Sequence, residues 1–447
     1  SVKIFEKCFG VPENKETTKR ALIEVIKARP NAVPLLLSAA RLFMKEGEVE
    51  VATQFFKTAQ GVDPKAFFEI IDEFYDTLKT FPKDREVRVL LIDTFFLRRI
   101  WDRVIEEAKK GIEVFGQEAQ FFNLKLGQAL VESGNLTDGV RPLMLSLDGE
   151  QDYAGEVIKY LDKILQIDKS NVPAHFARGR ALAKARRIDE AVDEYLTTAR
   201  ILPARAEYVF EELKTLAAKA LANPRILFAL GNIEIILKKP EDGIKHLLQA
   251  CELDPVFVKQ VIPSFEKLIV QMPTPLLQFS LARIYHLAEI KGSAVKYYIA
   301  AQAADKNYRE PAISEMKKIC AEDPKDVESR RGLAQIYFEY NDLEDALDLT
   351  SEVYKSNPAE SGWVKSFIPK ILQKNQKHLQ SYYLLLYIFL NEGEYKKAIE
   401  VAQRLVEIAP QETSRVIEEL VGHLENSPDV LLYLGTLNKQ TGNLRNA

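Results

Sequence analysis

The sequence predicts an all-α chain built as a tandem array of short helices. Three observations carry that reading. First, apolar residues recur at three- and four-residue spacings, as in Leu333, Ala334 and Tyr337 and then Ala346, Leu349 and Val353, and that period is helical. Second, the pattern itself repeats. The helix-closing positions Pro12, Pro64, Gly116, Gln151, Pro203, Pro255, Lys306, Pro358 and Pro410 are spaced by 52, 52, 35, 52, 52, 51, 52 and 52 residues. Third, no segment shows the strict apolar–polar alternation of a half-buried strand.

Within 327–360 the two stripes read as a pair of amphipathic helices, A and B. Neither could bury its stripe alone. Asn341 and Asp342 lie between them, where side-chain to backbone hydrogen bonds favour a turn and a fresh helix start. Ala334 and Ala346 are small enough to let the helices cross closely, while Tyr337 fills the space beside them. Pro358 ends helix B, because proline has no amide hydrogen and clashes with the preceding turn.

Taken in order, the chain begins late in a B helix, at 2–9. A third helix, C, is expected at 17–28, followed by A at 34–45 and B at 49–61. Ala40, Phe43, Ala52, Phe56 and Ala59 form the apolar side of that pair. Further C helices are expected at 65–80, 152–167, 205–221, 257–271, 310–321, 363–373 and 413–424. Pro311 falls in the first turn of its helix, where proline is tolerated, whereas Pro263 and Pro369 lie further in and should kink theirs. The remaining A–B pairs centre on Ile92 and Val104, Gly127 and Gly139, Gly179 and Ala191, Gly231 and Gly243, Ala282 and Ala294, Ala334 and Ala346, and Leu386 and Ala398. The pair at Gly127 starts without a C helix before it, which gives the single 35-residue step at 117–151. Leu434 and Gly435 mark a last A helix, and Ala447 stands where the next B helix would open. Residues 1–447 thus read as one continuous array of roughly 25 helices, truncated at both ends.

The A–B pair resembles the tetratricopeptide repeat. That family's unit of ~34 residues sets a Leu-Gly/Ala pair, a Tyr, an Ala, an aromatic, another Ala and a Pro at fixed offsets. Leu333 with Ala334, Tyr337, Ala346 and Pro358 match, while Thr350 and Val353 stand at the aromatic and second Ala positions. Against that unit the observed period leaves about 18 residues, room for one more helix of three to four turns. The resemblance implies a right-handed superhelical solenoid of such pairs with an extra helix in most repeats. It implies a non-enzymatic scaffold or adaptor that binds partner proteins or peptides along its surface.

In the family, the helix A position just after the Leu-Gly/Ala pair lines a concave groove. Here that row is Arg41, Asp93, Gln128, Arg180, Asn232, Arg283, Gln335, Tyr387 and Thr436. Four positions earlier the row reads Leu37, Val89, Leu124, Phe176, Phe228, Phe279, Arg331, Tyr383 and Leu432. A polar row beside an apolar one could grip an extended or helical peptide through hydrogen bonds and side-chain pockets. Arg41, Arg180, Asn232, Arg283 and Gln335, with Phe176, Phe228 and Phe279, are the expected partner-binding residues. The open alternative is an amphipathic helix A with its first row solvated and its second packed on the added helix C. No repeated Asn–Lys pairing like the family's clamp for a terminal carboxylate occurs, so that mode is not expected.

Composition narrows the partners. Charged residues make up 28% and hydrophobic ones 47%, with a net charge of -4 at pH 7 and both signs interspersed. That balance argues against nucleic acid or anionic lipid as partner. The longest apolar runs, such as 382–390, fall short of the ~18 residues that membrane insertion requires. Cys8, Cys251 and Cys320 lie far apart, which fits buried thiols in a reducing compartment. The cytoplasm is therefore the expected location, with the periplasm or membrane attachment through flanking segments left open, since the chain does not begin with Met. His175, His246, His286, His378 and His423 have no metal-ligand spacing around them, and no phosphate loop, GxSxG elbow or HExxH occurs. No catalytic, cofactor or metal site is expected. Two rival readings remain, a structural array that self-associates end to end and the regulatory arm of a larger enzyme or membrane-associated complex.

Overall fold

The computed structural model describes residues 15–46, 48–63, 65–149, 152–220, 222–422 and 427–440. The helix expected at 2–9, the closing positions Pro12, Pro64 and Gln151, and the opening position Ala447 lie outside the described residues. Among those described there are 25 α-helices and no strand. None of these helices is long and apolar enough to cross a membrane.

The helices fall into two compact units, 1–221 and 222–447. The first unit opens with α1 (Lys15–Ala28), the hairpin α2 (Val33–Lys45) and α3 (Val49–Val62), and α4 (Ala66–Thr80). A second hairpin, α5 (Arg85–Leu97) and α6 (Trp101–Phe115), is followed directly by a third, α7 (Gln120–Glu132) and α8 (Leu136–Leu145). Only the 3-10 turn Gly116–Glu118 separates α6 from α7. Then come α9 (Ala154–Ile167), the hairpin α10 (Val172–Lys184) and α11 (Ile188–Ile201), and α12 (Ala206–Lys219).

The second unit is more regular. Its hairpins are α13 (Pro224–Ile236) with α14 (Pro240–Leu253), α16 (Pro275–Leu287) with α17 (Lys291–Ala304), α19 (Val327–Glu339) with α20 (Leu343–Ser356), and α22 (Leu379–Asn391) with α23 (Tyr395–Ile408). After each hairpin stands one further helix: α15 (Val258–Gln271), α18 (Arg309–Glu322), α21 (Ser361–Lys374) and α24 (Thr413–Val421). The last described element is α25 (Pro428–Gln440). The backbone of α15 and of α21 stays helical past Pro263 and Pro369.

Local chemistry sets the boundaries. The first helix of many hairpins starts at an Asx or Thr cap whose side chain accepts from backbone amides two or three residues on, as at Asp84, Asn171, Asn223, Thr274 and Asp326. These amides have no intrahelical acceptor, so the cap removes an unmet donor. The turn inside the hairpin places one residue in the left-handed region, Arg99, Arg186, Lys238, Glu289, Asn341 or Gly393 by position. That conformation reverses the chain within a few residues. A proline or polar 3-10 turn, such as Pro255–Phe257 or Pro358–Glu360, then leads from the hairpin into the following helix.

Packing follows the small residues. Ala40, Ala52, Ala282, Ala294, Ala334 and Ala346 are completely buried where their helices cross. The first unit's core runs through Leu36, Phe56, Phe74, Leu91 and Phe122. The second unit holds one cluster from Ile244 to Ile388 and another around Leu386, Leu405 and Leu434.

Candidate functional site

The polar row sits on the first helix of each hairpin, and its members meet different neighbours. In the first unit the Arg41 guanidinium lies 3.0 Å from Glu73 and 3.8 Å from Glu69, both on α4. Arg180 is held from two sides, by Asp148 at 3.1 Å and by Glu212 of α12 at 3.2 Å. Gln128 donates to Glu156 of α9 at 2.8 Å. Asp93 pairs with Lys125 at 2.8 Å. The helix that follows the hairpin thus supplies a carboxylate to Arg41, Arg180 and Gln128.

In the second unit the pairing differs. Arg283 meets Glu252 at the end of α14, at 2.9 Å. The Asn232 side chain donates to the Phe228 carbonyl of its own helix at 2.8 Å. Gln335 is exposed and donates to Glu339 one turn on. Tyr387 is about half exposed, at 49%, and its ring meets Tyr354 edge-on.

In the second row Phe228, Phe279, Arg331 and Tyr383 are half-buried, and a regular pairing explains why. Each of these four meets the residue 29 positions on, in the short turn before the third helix. Phe228 stacks on Phe257 with ring centroids 4.8 Å apart, and Phe279 meets Tyr308 at 5.3 Å. Where the row turns polar, the partner changes with it. Arg331 pairs with Glu360 at 3.2 Å, and Tyr383 donates to Glu412 at 2.7 Å. Burial, then the hydrogen bond to Glu412, pushes the Tyr383 hydroxyl well above the usual phenol range. Phe176 instead packs on Tyr195 of α11, as Phe279 also does on Tyr298 of α17.

Three grooves open beside these rows. One, of about 680 Å³, lies between α17 and α19 and reaches the start of α21. Val295 and Ile299 belong to its apolar part, and Lys296, Glu328, Gln335 and Glu360 to its polar part. Arg331 lies over the Trp363 ring at 5.1 Å beside it. A second groove, of about 750 Å³, lies between α10 and α12 and includes Arg180. A third, of about 720 Å³, lies between α23 and α25 and includes Leu432 and Thr436.

The structure therefore brings Gln335 and Arg331 into one groove and Arg180 into another, while Arg41, Asn232 and Arg283 are held by neighbouring carboxylates or by their own helix. Trp363, Glu360, Lys184 and Lys219 line grooves without having stood out in the sequence. Trp363 falls in an apolar stripe, and an aromatic there carries no mark of an open neighbour in the sequence. Among the described residues no group of three or more His, Cys, Asp and Glu side chains is placed to hold a metal ion.

The tetratricopeptide repeat model matches residues 224–257 and 379–412, which are the hairpins α13–α14 and α22–α23 with the turns that close them. No curated protein matches the chain. Solved structures that resemble it include Naa15/Naa10 bound to HypK-THB, at 16% identity over 99% of this chain and 79% of that one, with a TM-score of 0.21. The P58(IPK) TPR domain matches at 12% identity over 86% and 97%, with a TM-score of 0.20. YrrB, described as a TPR protein with an unusual peptide-binding site, matches at 14% identity over 53% and 94%, with a TM-score of 0.15. Two of the helical hairpins of this all-α chain, α13–α14 and α22–α23, therefore match the tetratricopeptide repeat.

Proposed function

We propose that the chain is a non-enzymatic scaffold that holds protein or peptide partners in the grooves between successive hairpins, with the cytoplasm as its compartment. The groove between α17 and α19 carries this reading. It joins an apolar part, Val295 and Ile299, to a polar edge, Lys296, Glu328 and Gln335, with Trp363 and Arg331 side by side at one end. Protein interfaces have this composition, an apolar centre with a polar rim and Trp and Arg as anchors. Arg41, Asn232 and Arg283, with Phe176, Phe228 and Phe279, belong to the same proposal as further partner-binding residues of the polar and apolar rows.

Site-specific photocrosslinking tests it. A photoreactive residue at exposed Gln335 should give adducts with other polypeptides in native lysate, and one at exposed Lys355, outside the groove, should not. Equal adducts at both positions, or none at 335, would remove the groove from consideration. A second reading, association between copies, is favoured by Leu431 and Leu432, which are 59% and 73% exposed beside the α23–α25 groove. Sedimentation of the wild type against Leu432→Asp separates it, since a loss of dimer in the variant is expected only under that reading.

A further inference from the structure

The geometry points to the groove between α10 and α12 as a docking site for an acidic peptide segment that carries apolar side chains. This inference rests on the scaffold reading and names the partner chemistry of one groove. Its origin is an irregular helix. α8 spans 10 residues, where the corresponding α11, α14 and α17 each span 14. The chain released by that early stop runs past buried Leu147 toward α10. There the Lys184 ammonium donates to the carbonyls of Leu147 and Gly149 at 2.6 and 2.7 Å, and Asp148 reaches Arg180. The released segment is thereby tied beside the end of α10, and a groove of about 750 Å³ opens toward α12.

The lining has a marked charge. Arg180, Lys184, Arg186 and Lys219 face it, and among the described lining residues Glu212 is the one carboxylate. Glu212 is already engaged by Arg180. Arg186 and Lys219 are exposed, and no ion pair is found for either among the described residues. In a chain of net charge -4 this is a local excess of positive charge. Such an excess attracts anionic partners and fixes their orientation. The rest of the lining decides between anions. Leu147, Ile188 and Leu216 give it an apolar floor, which a free inorganic anion would not use. Among the described residues its lining contains no aromatic side chain, whereas single-stranded nucleic acid is held by base stacking on aromatic side chains. A peptide with Asp or Glu beside Leu or Val satisfies both the rim and the floor.

Fluorescence anisotropy on the full chain tests this, with a labelled peptide of Glu and interspersed Leu as probe. The Glu peptide should bind, and its Gln counterpart should not. The double variant Arg186→Glu, Lys219→Glu should weaken binding by at least about tenfold through charge reversal at the rim, with an unchanged melting curve. Should that variant misfold, Lys219→Glu alone should still weaken binding and reduce its salt dependence. No binding to the wild type, equal binding to the folded variant, or tighter binding of an oligonucleotide of equal charge would each overturn the inference. If the peptide fails while adducts from position 335 persist, the acidic partner is wrong and the scaffold stands. If both fail, the scaffold reading falls as well.

Discussion

Two hairpins of this protein close the same crossing in opposite ways. In α13–α14 the helices meet at Gly231 and Gly243. A Cβ added to Gly231 would lie 2.8 Å from the Gly243 carbonyl oxygen and 2.6 Å from Leu247. In α5–α6 the corresponding places are Ile92 and Val104, both completely buried. Side chains of that size need room between the axes, and the space beside them is bridged by charge. Arg88 lies 2.9 Å from Glu107, with side-chain exposures of 7% and 1%. Glu107 also accepts from Lys110 at 2.8 Å and from Tyr75 of α4 at 3.3 Å. The first hairpin is matched by the family model and the second is not. The glycine crossing brings two backbones together, while the ion-paired hairpin reaches the same topology without that approach.

The largest test of this contrast removes the charge. Glu107→Ala leaves the Arg88 guanidinium buried without its partner, and denaturant unfolding should show a loss of about 3–5 kcal/mol. The double change Arg88→Met, Glu107→Leu should restore most of that loss, because apolar groups of similar volume can replace a buried pair. If Glu107→Ala is nearly neutral, the pair does not hold the hairpin. Next comes the glycine crossing. Gly231→Ala forces the helices apart and should cost about 1–3 kcal/mol. Gly155→Ala in α9, whose added Cβ would meet nothing within 4 Å, should instead be neutral or stabilise by up to about 0.5 kcal/mol. Equal effects at the two glycines would show that backbone approach is not what matters.

The smallest effect concerns a surface counterpart of Glu107. Glu394 is also held by two cations, Lys365 at 2.6 Å and Lys397. The hydrogen bond from Lys365, then that from Lys397, lowers its carboxyl from 4.5 to about 2. A depressed folded-state value adds stability above the unfolded value and loses it as pH falls through the folded one. Glu394→Gln should therefore slightly flatten the acid limb between pH 4.5 and 2, read by circular dichroism during acid titration. Surface pairs contribute little, so an effect as large as that of Glu107→Ala would break the distinction between the two sites.

Much of the fold was legible because its causes are local. The apolar stripes, the small residues at Gly231 and Ala282, and the closing prolines at 255 and 358 lie within one or two helices of what they determine. The rows flanking the groove were legible as positions and not as contacts. Arg41 and Arg180 read as members of one polar row, yet their carboxylates, Glu73 and Glu212, lie 32 residues away on the helix after the hairpin. Whether a groove opens beside Trp363 depends on how α17, α19 and α21 meet.

What the sequence determined by itself is the all-α class, the hairpin order and the turn chemistry, since helical period, capping and proline act over a few residues. The tertiary structure alone decided which cations are neutralised, where the grooves open and which of them is basic. Those outcomes depend on crossing angles and on where a helix stops. The early end of α8 is the clearest case. A helix four residues shorter than its counterparts leaves no distinct mark in composition, but in three dimensions it frees the segment that Lys184 captures and opens the groove beside it.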